Sequence, residues 1–167
     1  MSEEAEKKVI FKQIEDDLIL KGFEIVKQDQ TRPWGGFFVI NEDQAQQFAD
    51  TYFDGIPVDE LKISGKLSPK ILVVAPDKRL SWQYHHRRAE IWKVLRGNAG
   101  VVTSFNDEEG QLEVLKPEEV IKLQQGQRHR LIGTGNWAVL AEIWQHTDPG
   151  NPSDEDDIVR VQDDFGR

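Results

Sequence analysis

Gln83-Tyr84-His85-His86-Arg87-Arg88-Ala89-Glu90, read together with Gly126-Gln127-Arg128-His129 further along, decides how this chain folds. Gln83 and His85 stand two apart, so on a strand both side chains point to one face. The turn-like residues His86 to Ala89 then return Glu90 beside them on the neighbouring strand. His86 faces away from His85 and reads as a turn or surface residue. His129, at the start of another apolar stretch, is the candidate fourth ligand. Two imidazoles, one carboxylate and one amide oxygen would then surround a divalent ion. The spacing predicts a metal site built in β-structure.

Around this stretch the text is a series of short β-runs. They are Ile71 to Ala75, Leu80 to His85, Glu90 to Leu95, Gly100 to Phe105, Gln111 to Leu115, Val120 to Leu123, Arg130 to Ile132 and Trp137 to Trp144. Turn signals separate them, among them Pro76-Asp77, Arg96-Gly97-Asn98, Lys116-Pro117 and Gly133-Thr134-Gly135. Short strands at this spacing predict a mainly β fold, a sandwich or barrel, and a lumen that takes a ligand favours a small barrel or jelly roll. After the acidic stretch Asp148 to Asp157, a solvated loop, a last strand is expected at Ile158 to Gln162.

The N-terminal third reads differently. Val9, Ile10, Ile14 and Leu18 predict an amphipathic helix from Glu3 to about Asp17, packed across the sheet. Gly22 breaks it. Phe23 to Val26 and Gly36 to Ile40 are expected as strands flanking Thr31-Arg32-Pro33-Trp34-Gly35, and Asn41 as the cap of a helix over Glu42 to Phe53. Residues 57–69 read as irregular. The whole is one domain over 1–167: an N-terminal extension and insertion (1–66), a core barrel (67–147), and a C-terminal loop with a closing strand (148–167).

Composition narrows the chemistry. With no cysteine, thiolate metal sites, iron–sulfur clusters and disulfides are excluded, and any metal must use N and O ligands. The acidic start from Met1 to Lys8 and the lack of an apolar run near the roughly 18 residues of a membrane span predict a cytoplasmic protein with no membrane partner. A net charge of −9 opposes nucleic-acid binding. Between Asp77 and Arg96, however, six cations stand against two anions, around the proposed metal. That local excess points to a small anionic ligand such as a phosphorylated metabolite, with Arg88 and either Arg79 or Arg87 as its contacts.

The motifs together carry a resemblance. Gln83, His85, Glu90 and Gly97, followed by Gly126 and His129, resemble the two metal motifs of the cupin superfamily. More narrowly, Arg32-Pro33-Trp34-Gly35, the run from Arg79 to Trp92, His129-Arg130-Leu131, and the tail segments Glu155 to Arg160 and Asp164 to Arg167 resemble the type II mannose-6-phosphate isomerases, cupins often fused to a mannose-1-phosphate guanylyltransferase. The resemblance covers about residues 68–167 and the Arg-Pro-Trp-Gly patch. It implies a cupin barrel (a double-stranded β-helix or jelly roll) with N-terminal helical additions, in which Gln83, His85, Glu90 and His129 bind a catalytic metal, usually zinc, with manganese, nickel or iron as alternatives. It also implies a phosphorylated sugar as partner, conversion of mannose 6-phosphate to fructose 6-phosphate, and pairing as a homodimer as one option. Arg88 matches a cation held near the substrate, and Arg160 resembles the arginine that type I isomerases place at the reacting carbons. Residues 42–66 look like an insertion that could fold over the barrel mouth.

Several residues keep two readings at this level. Arg160 either stabilises charge at the reacting carbons or pairs with Asp163 or Asp164. Glu142, on the apolar strand Val139 to Trp144, is either a buried acid/base or the partner of an arginine. Trp82, Trp92, Trp137 and Trp144 line a sugar pocket or belong to the core. The alternative functions are a non-catalytic cupin that binds a sugar phosphate or nucleotide sugar, an isomerase for another sugar phosphate, and an oxygenase or epimerase.

Overall fold

In the computed structural model, which describes residues 2–167, Ser2 caps the first helix: its hydroxyl oxygen accepts from the Ala5 backbone N–H at 3.1 Å. Glu3, Glu4 and Glu6 fill the first turn, where the helix dipole favours acids. This helix, α1 (Glu3–Leu20), continues past the expected limit at Asp17. It stops where Gly22 takes a φ of +83° and the Phe23 N–H reaches back to the Leu18 carbonyl.

The remaining elements follow as β1 (Ile25–Arg32), β2 (Gly35–Ile40), α2 (Ala45–Tyr52), the single turn α3 (Val58–Leu61), β3 (Lys70–Val74), β4 (Trp82–Tyr84) and β5 (Arg88–Arg96). After them come β6 (Ala99–Ser104), β7 (Leu112–Leu115), β8 (Val120–Leu123), β9 (Arg128–Gly133), β10 (Ala138–His146) and β11 (Val159–Gln162). They pair antiparallel into a six-stranded sheet, β1-β2-β3-β10-β5-β8, facing a five-stranded sheet, β11-β4-β9-β6-β7. This is the expected mainly β jelly-roll barrel of cupin type with helical N-terminal additions.

The central strands of the six-stranded sheet bury apolar residues on both faces, because they are covered on both. Along β3, Leu72 and Val74 join the cluster between the sheets, whereas Ile71 and Val73 join a second cluster outside. In β10, Leu140 points in, and Val139, Ala141 and Ile143 point out. The outer set is covered by Phe11, Ile14 and Leu18 of α1 and by Phe48 and Ala49 of α2. Burying each of these large side chains contributes about 1.5–3 kcal/mol, so the helices complete the core rather than decorate it.

The insertion at 42–66 therefore does not fold over the barrel mouth. Its helix α2 lies on the outer cluster, and its end is tied to β10 by the Gln145 side chain, which donates to the Leu61 carbonyl at 2.7 Å. Residues 57–69 are not wholly irregular, since Pro57 starts the turn of helix α3. β1 runs on to Arg32 through Lys27-Gln28-Asp29-Gln30, a polar stretch that takes strand form at the sheet edge where only one neighbour is needed. No helix among the described residues is long and apolar enough to cross a membrane.

Gly97 sets the β5–β6 turn. Its φ is +71°, and a Cβ there would lie 2.2 Å from the Trp137 carbonyl oxygen. Gly65 has a similar φ of +67° with open space around it. Gly65→Ala should cost about 1 kcal/mol from backbone strain alone, and Gly97→Ala distinctly more, about 3 kcal/mol. Urea unfolding midpoints of the two variants measure the difference.

Candidate active site and metal centre

Strand alternation and register assemble the site. Arg88, Glu90, Trp92 and Val94 form the inward half of β5, and β10 answers with His146, Trp144, Glu142 and Leu140 directly opposite. Glu142 pairs on its other side with Lys70 of β3, so Lys70, Glu142 and Trp92 stand in one row across the sheet. From the facing sheet, Gln83 of β4 pairs with His129 of β9 and with Arg160 of β11.

His85, Glu90 and His129 converge at the floor, each at most 3% exposed. The two imidazole Nε2 atoms lie 3.2 Å apart. Glu90 Oε1 is 3.6 Å from His85 Nε2 and 3.2 Å from His129 Nε2. The far nitrogens fix the tautomers. Nδ1 of His85 faces the Asp157 carbonyl at 2.7 Å and Nδ1 of His129 the Gln127 carbonyl at 3.1 Å, and a carbonyl can only accept. Both Nδ1 atoms carry the proton, which leaves two bare Nε2 lone pairs pointing at each other and at Glu90 Oε1.

This arrangement fits a divalent ion. Glu90 Oε1 is buried without a hydrogen-bond partner, and the three donors are spaced as ligands about 2.1 Å from one ion would be. Burial holds the His85 imidazole below its ordinary value, so it is neutral and able to ligate. Burial alone would raise Glu90, yet the Arg88 guanidinium beside it holds its carboxyl well below the usual range. In the protein without an ion, the lone pair of His85 faces Arg88 Nη2 at 3.3 Å. Gln83 presents Nε2 to His129 at 3.4 Å while its Oε1 accepts from Ser81 at 2.6 Å. Exchanging the two amide atoms turns Oε1 inward, and Nε2 can then donate to the Ser81 hydroxyl.

Above the floor opens a cavity of about 370 Å³, with Gln83 and Glu90 in its wall. Trp92, Trp144 and Trp34 line it, while Trp82 and Trp137 do not. Glu142 is 5% exposed and its carboxyl is pushed up to about 7 by burial and then by the charge of Glu90. Its two oxygens accept from the indole N–H groups of Trp92 and Trp144, both at 2.8 Å. Its hydrogen-bond partners are thus indoles and not an arginine.

The arginines sort by partner. Arg88 lines the cavity, stacks 3.6 Å from the Trp144 ring centroid, and donates to Glu90, Ser153 and the Asp154 carbonyl. Arg160 also lines the cavity. Asp163 is taken by Arg167 and Asp164 by Arg79, and no carboxylate among the described residues pairs with Arg160. Arg79 and Arg87, expected near phosphate, lie outside the cavity wall: Asp164 grips Arg79 through two bonds, and Arg87 faces Asp154 and Asp157.

Sequence reading missed Lys70, 5% exposed, whose ammonium packs 4.3 Å from the Trp144 ring and pairs with Glu155 at 2.5 Å. Strand alternation through Lys70-Ile71-Leu72 was the available signal. It also missed the C-terminal strap. Asp157 accepts from the His86 and Arg87 backbone N–H groups and from Ser153, while its own carbonyl receives His85. These contacts fix the His85 ring and tautomer from behind.

Mannose-1-phosphate guanylyltransferase ManC of Salmonella typhimurium is 33% identical over 110 residues, which are 65% of this chain and 21% of that protein. Alginate biosynthesis protein AlgA of Pseudomonas aeruginosa is 30% identical over 124 residues, 74% of this chain and 24% of AlgA. The chain thus spans about a fifth to a quarter of the length of these curated relatives. Among solved structures, capsular polysaccharide assembling protein CapF from Staphylococcus aureus aligns over 81% of this chain and 34% of its own with a TM-score of 0.54 and 13% identity, a likeness of fold alone. The family described as mannose-6-phosphate isomerase C-terminal matches residues 52–163, a span that contains the whole His–Glu–His cluster and most of the barrel. With that match over well beyond half its length, the chain belongs to the mannose-6-phosphate isomerase C-terminal family.

Proposed function

We propose that this chain is a metal-dependent aldose–ketose isomerase acting on a sugar phosphate, with mannose 6-phosphate and fructose 6-phosphate as the pair. One observation carries the reading: the buried carboxyl of Glu142 lines a cation-bearing cavity together with Gln83 and Glu90, and Glu90 converges with His85 and His129 at its floor. A divalent ion held by those four residues, zinc or manganese, nickel or iron in its place, would polarise the substrate carbonyl as a Lewis acid.

Moving a carbonyl from C1 to C2 requires the hydroxyl proton to pass from O2 to O1 and, through an enediolate, a proton to pass from C2 to C1. The group that carries it must be deprotonated part of the time and must also give the proton back, which favours a pKa near neutrality. Burial moves the Glu142 carboxyl up from its ordinary value and so towards that range. The two indole N–H bonds fix the direction of its carboxylate and still leave each oxygen a free lone pair. As the proton leaves, negative charge grows on the substrate oxygens. The unpaired guanidinium of Arg160, on the strand beside Gln83, can answer that charge at little reorganisation cost. Arg88, gripped by Glu90, Ser153 and Asp154, supplies fixed positive charge and orients the Glu90 carboxylate.

Three results test the reading. The protein should take up about one divalent ion per chain by elemental analysis, and His85→Ala and His129→Ala should each lose it. Metal retained by both variants would misplace the site. Mannose 6-phosphate incubated in deuterium oxide should yield fructose 6-phosphate with exchange at the migrating position, and Glu142→Gln should slow this by about 100-fold or more with metal content unchanged. Binding without turnover or exchange would favour the non-catalytic cupin. The third concerns the metal-free protein. A carboxyl raised from 4.5 to about 7 gives stability that is complete below 4.5 and is lost as pH rises through 7. Relative to Glu142→Gln, the parent should therefore weaken across that interval by about 3 kcal/mol, read from urea midpoints.

A further inference from the structure

We propose that Arg32 and Arg167, at the cavity rim, clamp the phosphate of the substrate. The proposal takes the sugar from the isomerase reading, but the anion site stands on its own observations. The rim and floor differ in depth. Side chains at the floor are 2–3% exposed, whereas Arg32 is 32% and Arg167 23% exposed, and both line the same cavity.

Arg32 ends β1 and opens the Arg32-Pro33-Trp34-Gly35 hairpin, which swings its guanidinium over Phe37 at 5.5 Å from the ring centroid. Its Nε–H is buried with no hydrogen-bond partner, since the Asp29 carboxylate 3.1 Å away lies off the N–H direction. Arg167 is held by Asp163 through Nε and Nη2, and its Nη1 has no partner among the described residues. Arg160 lines the same cavity. Burial and then the charges of Arg167 and Arg32 lower its pKa, so three guanidiniums press on one another at one mouth. Like charges crowded at a partly dry surface are unfavourable until an anion joins them.

The charge and shape of the opening select the anion. Five cations line the cavity (Arg32, Lys70, Arg88, Arg160 and Arg167) against four carboxylates (Glu90, Glu142, Glu155 and Asp156), and Glu142 is only partly ionised near neutrality. Lys70 and Arg88 are already engaged with Glu155 and Glu90. At the rim, Asp29 and Asp163 pair with Arg32 and Arg167 but leave Arg32 Nε and Arg167 Nη1 without a hydrogen bond. Arg160 has no carboxylate partner among the described residues, so donors remain there on planar forks that suit phosphate oxygens. A hexose 6-phosphate carries its phosphoryl group at the end of the carbon chain remote from C1 and C2. With C1 and C2 at the floor beside Glu142, that group falls among the rim arginines.

Titration calorimetry with inorganic phosphate, mannose and mannose 6-phosphate tests this on the metal-loaded protein. Arg32→Ala and Arg167→Ala should each weaken mannose 6-phosphate binding by about 10-fold or more, and the double variant should lose inorganic phosphate altogether. Arg32→Lys, which keeps charge and fold but not the fork, should be intermediate. Affinity for mannose, metal content and the thermal midpoint should be unchanged in these variants. Unaltered phosphate affinity in the double variant, no phosphate affinity in the parent, or an equal loss in Arg79→Ala would each overturn the clamp. Phosphate binding that depends on Arg32 and Arg167 without any turnover would keep the clamp and remove the isomerase reading, so the two fail separately.

Discussion

Two imidazole lone pairs and a carboxylate oxygen, all within 3.2–3.6 Å and sealed from water, make a concentration of negative potential that the barrel must neutralise. In the metal-free chain Arg88 supplies that positive charge, with Nε on Glu90 and Nη2 on His85. A divalent ion would do so more completely, because it would satisfy all three donors at once. Much of the surrounding structure serves this one constraint. Asp157 and Gln127 hold the tautomers, Ser81 holds Gln83, and Ser153 holds Arg88. The strap at 153–157 is further pinned by His146, whose Nδ1 accepts the Ser153 N–H and whose pKa burial pushes down to about 4.

The same low-dielectric floor explains why the carboxyls differ. Glu90, gripped by Arg88, stays ionised, whereas the Glu142 carboxyl is pushed up to about 7 by burial and then by the charge of Glu90. Divergent environments thus set the two neighbouring acids apart. Depth then orders the cavity, from the buried donors through the tryptophans to the rim arginines.

The barrel was largely legible because its inward half obeys a period of two. Arg88, Glu90 and Trp92, or Leu72 and Val74, alternate with outward neighbours, and turn residues such as Gly97 punctuate the strands. Strand ends were less legible. β5 begins at Arg88 and β10 runs to His146, since pairing between those strands continues through polar residues that carry no hydrophobic signal. At the site, the convergence of His85, Glu90 and His129 could be read because residue type and spacing both mark it. The strap could not, since its central contact is the Asp157 backbone carbonyl, which any residue possesses. Nor could the fate of Arg79 and Arg87, which depends on carboxylates far along the chain, Asp164 and Asp154. The insertion's position was likewise hidden, because an amphipathic α2 fits the outer sheet face and the mouth equally well until α1 is in place.

X-ray absorption spectroscopy of the metal-loaded protein at the edge of the bound ion tests the central claim most directly. The account predicts a first shell of nitrogen and oxygen only, with the multiple-scattering signature of two imidazoles. A shell of oxygens without imidazole would place the ion elsewhere and contradict it.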